Sequence, residues 1–183
     1  MKVDIYNTDK KYSIIYADPP WQYNKRNNPK TKFGKGACGH YYLMTMKDIE
    51  NLPIHKLASD NCILFLWATF PKIQEALNTI KAWGFEYKTV GFTWVKKNKN
   101  GGNFFGVGWY TKSNAEVCLI GVKGKPPKIS NKISSIVESV REEHSKKPSV
   151  IRDKIVEFSG DLPRIELFAR QHAEGWDCWG NEV

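Results

Sequence analysis

The sequence predicts an α/β protein with a mostly parallel sheet covered by helices on both faces. Two observations predict it. Several apolar runs, such as 12–17 (YSIIYA) and 62–67 (CILFLW), are continuous over strand length rather than alternating, as in strands buried on both faces. Between them lie amphipathic segments of helical period, the order expected of strand–helix units. In such sheets ligands bind beyond the carboxyl ends of the strands.

The elements follow in order. Residues 12–18 read as a buried strand that must stop at Asp18, because Pro19 and Pro20 have no N–H to donate to a ladder. Residues 46–57 read as a helix with Thr45 as N-cap and Pro53 interrupting the last turn. The 62–67 strand is followed by a helix over 71–83, opened by Pro71 and stopped by Gly84. Residues 86–95 are rich in β-branched and aromatic residues and read as a strand, as do 116–122 and 135–140. A helix over 149–158, with Ser149 near its cap, and a buried strand over 164–169 complete the pattern. The stretches 22–42 and 96–114 combine Gly, Asn and Lys with aromatics such as Phe104 and Tyr110, and loops of that length in one domain are binding loops or lids. A single domain over 1–183 is expected, with these two loops beside its site.

The net charge of +9 lies in the loops. Segments 22–40, 96–112 and 121–132 contain 13 of the 28 cations, Lys25 and Arg26 among them, and no acid. Cations so placed suit a polyanion, whose counterions they release, and point to nucleic acid. No apolar run approaches the ~18 residues of a membrane span, and the N-terminus lacks the build of a signal peptide, so a cytoplasmic protein without membrane attachment is expected. Cys38, Cys62, Cys118 and Cys178 are widely spaced and read as reduced thiols; Cys38 and His40 have no second ligand pair to complete a zinc site.

The chemistry concentrates in ADPPWQY, residues 17–23. Asp18 supplies a carboxylate, Pro19 a carbonyl held rigid by its own ring and by Pro20, and Trp21 a flat stacking surface. Two acceptors beside an aromatic face suit a planar ring bearing an amino group. Holding both hydrogens of that group turns the nitrogen lone pair toward an electrophile, and no covalent intermediate is needed.

YADPPW at 16–21 resembles the signature of the MT-A family of S-adenosylmethionine-dependent adenine-N6 methyltransferases. The resemblance runs on through HYYLMTMKDIENLPI at 40–54, LFLWAT at 64–69, GFTWVKKN at 91–98, SNAEVCLIGVKGKP at 113–126, REEHSKKP at 141–148, IELFAR at 165–170 and GWDCWGNE at 175–182. It implies a Rossmann-like class I methyltransferase sheet, circularly permuted so that the catalytic strand comes first. The same likeness implies S-adenosylmethionine as cofactor, with Arg170, His172, Asn181 and Glu182 around its ribose and Lys147 near its carboxylate or the target base. Asp18 and Pro19, with Pro20 and Trp21, form the catalytic motif; Trp21 and Tyr41 would wall the base pocket, with Asn114 and Glu116 on the target side. Eukaryotic catalytic subunits carry Asn at the position of Ala173 and Gln at that of Glu182. The compact chain is most similar to bacterial and phage members, which favours DNA over RNA as substrate; a homodimer is expected because relatives pair. A noncatalytic partner subunit of the same fold is the reading from a different class.

Overall fold

The computed structural model describes residues 1–23, 44–108, 110–142 and 146–183. Tyr41, Lys25, Arg26, Cys38 and His40, and with them most of the expected loop at 22–42, lie outside the described residues.

The first strand, β1 (Tyr12–Ala17), is central, with β2 (Ala58–Ala68) parallel on one side and β6 (Arg164–Leu167) parallel on the other. Adding β3 (Glu86–Lys97), β4 (Ala115–Lys123), β5 (Ile136–Val140) and β7 (Asp177–Trp179) gives a sheet ordered β5-β3-β4-β2-β1-β6-β7. Only β4 runs against its neighbours, so the sheet is mostly parallel as expected. The reason is local: the described residues of the segment joining β3 to β4 contain no helix, and a parallel return needs a crossover whereas an antiparallel one does not. The chain thus enters the sheet at its middle and adds β6 beside β1 late, the arrangement of a permuted Rossmann-like methyltransferase.

Helices cover both faces. On one, α1 (Met46–Glu50), α2 (Ile54–Leu57) and α3 (Ile73–Ala82) pack Ile49, Leu57, Ile80 and Trp83 against Ile15, Leu64 and Leu66. On the other, α4 (Val150–Ser159) packs Ile151 and Ile155 against Ile14, Phe65, Trp67 and Trp94. Each such aliphatic side chain, fully buried, contributes about 1.5–3 kcal/mol. The Trp83 indole also ties α3 to α1 by donating to the Ile49 carbonyl at 2.8 Å.

Several boundaries differ from the sequence reading. The helix expected over 46–57 is two short helices, because Pro53 cannot donate and the chain turns there, with Ile54 N–H bonded to the Leu52 carbonyl at 2.7 Å. Thr45 caps α1 through a reciprocal box with Asp48. Pro71 sits in a 3-10 turn, Phe70–Lys72, ahead of α3, and Gly84 stops that helix at φ +84°. Ser149 is the N-cap of α4, but its side chain caps nothing. β7 has no counterpart among the expected strands, because its three residues are too few for any periodicity. Among the described residues no helix is long and apolar enough to cross a membrane.

Candidate active site

β1 ends where its sequence says it must. Pairing stops at Ala17, opposite Leu66 and Leu167, and Asp18 projects beyond the carboxyl end of the central strand. The Pro19 carbonyl accepts the Trp21 N–H at 2.8 Å, closing a three-residue turn over Pro20. A carbonyl has two lone pairs, so one acceptor site on Pro19 remains.

The indole of Trp21 is placed differently from the stacking surface expected of it. It is 6% exposed, packs into the layer beneath α1 and α3, and donates to the Trp67 carbonyl at 2.9 Å. Here Trp21 pins the turn to the end of β2. The flat, half-exposed ring near the carboxylate is Tyr23, whose hydroxyl bonds Thr69 while the Lys72 ammonium lies 5.5 Å from its ring centre. Burial raises the Tyr23 hydroxyl above its ordinary value, and the charges of Glu116, Lys147 and Asp18 act on it as well.

Glu116, Lys147 and Asp18 belong to a cluster of buried and half-buried ion pairs. Lys147, just ahead of α4, donates to both Asp18 oxygens at 2.8 and 2.7 Å and lies 3.2 Å from Glu116 Oε2. Glu116 Oε1 receives the ammonium of Lys96 from the neighbouring strand β3. The Lys147 side chain is 8% exposed and that of Glu116 9%, against 25% for Asp18. Beneath Lys147 lies the fully buried Trp67 ring, centred 5.4 Å from its Nζ, whose indole N–H is satisfied by the Tyr16 hydroxyl at 2.7 Å.

Burial and charge act against each other in this cluster. Burial works against the Lys147 ammonium, but Asp18 and Glu116 more than compensate, so its proton is held more tightly than an ordinary lysine's. Burial also pushes the Glu116 carboxyl up, and Lys147 and Lys96 together override it, leaving it below the ordinary range. At Asp18 burial wins: its carboxyl is raised despite Lys147, with Glu116 adding to the rise and Arg170 opposing it.

A cleft opens beside Asp18 at the carboxyl ends of β1 and β6, lined by Lys147, Arg152, Glu166, Phe168 and Arg170. Arg152 of α4 grips Glu166 of β6 through a fork of 2.6 and 2.9 Å. Phe168 follows β6 at φ +60°, unusual for a bulky residue, and is braced edge-on by Trp179 at 5.3 Å. Arg170 Nε is 3.8 Å from Glu182 Oε1. Gly180 lets the 180–182 segment lie against this turn: a Cβ there would sit 2.2 Å from the Ala169 oxygen and 2.7 Å from its nitrogen. Gly180→Ala is therefore expected to push that segment off the turn at Ala169, beside Arg170, and weaken S-adenosylmethionine binding by about tenfold. Titration calorimetry checks this, and unchanged affinity would remove 180–182 from the site.

The residues singled out in the sequence thus separate. Asp18, Lys147 and Glu116 meet at one point, Pro19 follows Asp18 in the turn, Arg170 lines the adjoining cleft and Glu182 lies against Arg170. Asn114 touches the cluster through its backbone, accepting the Lys96 N–H at 2.9 Å. His172 is exposed and its Nδ1 faces Cys178 Sγ at 3.2 Å; Asn181 is exposed beyond β7. Lys96, Tyr23 and the Arg152–Glu166 pair escape the sequence reading. Two of these had a local signal: Lys96 follows Trp94 by two residues and so shares its face of β3, and Tyr23 closes the ADPPWQY stretch.

The sequence matches the MT-A70 family model over residues 12–182. It is 36% identical to the Type II methyltransferase M.MunI of Mycoplasma sp, over 95% of this chain and 78% of that protein. Human N(6)-adenine-specific methyltransferase METTL4 is 32% identical over 98% of this chain, and the human N(6)-adenosine-methyltransferase catalytic subunit METTL3 is 29% identical over 94%. The chain spans 39% and 28% of those two longer proteins. A match of this extent, with the D-P-P-W turn standing at the end of the central strand beside the lysine of H-S-K-K-P, means that the chain belongs to the MT-A70 family of S-adenosylmethionine-dependent adenine-N6 methyltransferases.

Proposed function

We propose that the chain transfers a methyl group from S-adenosylmethionine to N6 of adenine in nucleic acid. The observation that carries this reading is the Asp18 carboxylate, held by Lys147 just beyond the carboxyl end of the central strand and followed in the chain by the Pro19 carbonyl, beside a cleft whose donors suit the cofactor. The fit is chemical. Lys147 is a cation for the carboxylate of the amino-acid moiety; a ribose diol suits Arg170 and Glu182; a purine suits the Phe168 ring. When bound, S-adenosylmethionine supplies an electrophilic methyl group on a sulfonium sulfur.

The chain's own residues do the rest. Asp18 and Pro19 each keep a free acceptor site, for the two hydrogens of the adenine amino group, and Tyr23 flanks the base. Lys147 orients the Asp18 carboxyl through both of its oxygens and opposes the rise that burial imposes on it. The adenine amino group, once methylated, would carry one proton too many; Asp18, whose carboxyl is raised by burial, would receive that proton and pass it to water. A base taken from a duplex must first leave the stack, at a cost of a few kcal/mol.

The DNA preference drawn from compactness gives way here to RNA as the favoured substrate. Relatives from Medicago truncatula, Oryza sativa, Arabidopsis thaliana, Drosophila melanogaster, Homo sapiens and Mus musculus carry the name N(6)-adenosine-methyltransferase, which weighs toward a ribonucleoside target. DNA stays as the second reading because the Type II methyltransferase is matched at higher identity and over most of its length. Labelled-methyl transfer to RNA, single-stranded DNA and duplex DNA in parallel, with nucleoside mass spectrometry, decides between them. N6-methyladenosine supports RNA and N6-methyldeoxyadenosine supports DNA. Cofactor binding with no methyl transferred to any of the three would support the noncatalytic partner instead. Light scattering tests the homodimer.

A further inference from the structure

Two ammonium groups and two carboxylates alternate in one row, Lys96, Glu116, Lys147 and Asp18. The groups around the row are Tyr16 of β1, Tyr23, which follows Asp18, Cys118 of β4, Glu166 of β6 with its partner Arg152, and Arg170, which follows β6. Lys147 contacts both carboxylates, so it can favour Asp18 only if something else neutralises Glu116. Lys96 stands where that is needed. Trp94 of β3 is paired with Glu116 of β4, and Lys96, two residues on, projects from the same face and reaches the Glu116 oxygen remote from Lys147. Its side chain is 16% exposed and its ammonium lies 5.0 Å from the Trp94 ring centre, so it is confined to this position.

We propose that Lys96 is a positioning residue, which holds Glu116 by its far oxygen and so leaves the Lys147 ammonium seated on Asp18. With Lys96 removed, one buried ammonium must serve two carboxylates. Lys147 is then drawn toward Glu116, and Asp18 takes up a proton at a higher pH than before. The inference rests on the adenine-methyltransferase reading for its effect on turnover, though not for its effect on Asp18.

Lys96→Met keeps the aliphatic stem against Trp94. It also keeps the two backbone bonds of residue 96, from its N–H to Asn114 and from the Phe104 N–H to its carbonyl, both 2.9 Å. The variant is expected to lower kcat by about 10- to 100-fold at neutral pH, to leave KM for the nucleic acid near wild type, and to recover activity as the pH rises. Lys96→Arg should restore most of kcat. In a Glu116→Gln background, where there is no charge left to neutralise, Lys96→Met should cost less than about threefold more. Independent losses that multiply would overturn the proposal, as would a loss confined to KM. Carboxyl-carbon NMR titration of the cofactor-free protein reads the same arrangement without catalysis. Lys96→Met should move the Asp18 midpoint up by about one pH unit, and an unmoved midpoint would overturn the role of Lys96. If wild type methylates no nucleic acid, the functional reading falls while the titration still decides the inference.

Discussion

Asp18→Asn is expected to lower methyl transfer by about 10³-fold at saturating cofactor, measured as single-turnover transfer of labelled methyl. The substitution keeps the shape of the side chain and removes its charge. It places an amide N–H₂ where the adenine amino group needs an acceptor, so the lone pair of N6 is no longer aimed and its proton has no carboxylate to receive it. Cofactor affinity should change far less, because Arg170, Glu182 and Phe168 are untouched and Lys147 keeps Glu116 as a partner. Turnover within tenfold of wild type would end the assignment of Asp18 as the amino-group acceptor. A parallel collapse of cofactor affinity would move Asp18 from the base to the methionine end of the cleft.

Lys147→Met is expected to destabilise the fold by about 3 kcal/mol at neutral pH, since removing one partner of a buried ion pair strands the other. For a chain of this size that corresponds to a drop in Tm of roughly 6–12 °C. The pH dependence has a definite sign. The Lys147 ammonium is raised above its ordinary value, so its contribution is fully present below about pH 10.4 and is lost as the pH rises through its folded value. Glu116 is depressed, so its contribution is present above about pH 4.3 and fades as the pH falls through its folded value. Asp18 is raised and works in the opposite sense, costing stability once the pH exceeds its ordinary value. The gap between wild type and variant should therefore be widest from about pH 6 to pH 10 and narrow in acid, where the stranded carboxyls protonate. Thermal melts across that range check it. A gap independent of pH would mean that Lys147 stabilises by packing on Trp67 rather than by charge.

The position of Asp18 was legible because it rests on local rules. A continuous apolar run predicts a strand buried on both faces, and two prolines end it at a known residue, so the carboxylate falls at a strand terminus whatever surrounds it. The same local logic identified the Thr45 cap and the Gly84 stop. It also overreached. An exposed indole and a buried one have the same sequence, and only the packing beneath α1 and α3 shows that Trp21 is used as an anchor, leaving Tyr23 as the open ring.

By itself the sequence determined the strand that ends in Asp18, the rigid acceptor turn after it, the helix-covered sheet and, through its motifs, the family. Tertiary structure alone decided the charge row. Lys96 is 20 positions from Glu116 and Lys147 is 129 from Asp18, and no local preference links them. They meet because the β3–β4 register sets Lys96 diagonal to Glu116, while the entry to α4 drops Lys147 onto the Trp67 ring beside the end of β1. Buried charges are tolerated only in such company, because desolvation costs more than any single partner returns, and that balance is a property of the assembled site rather than of any segment.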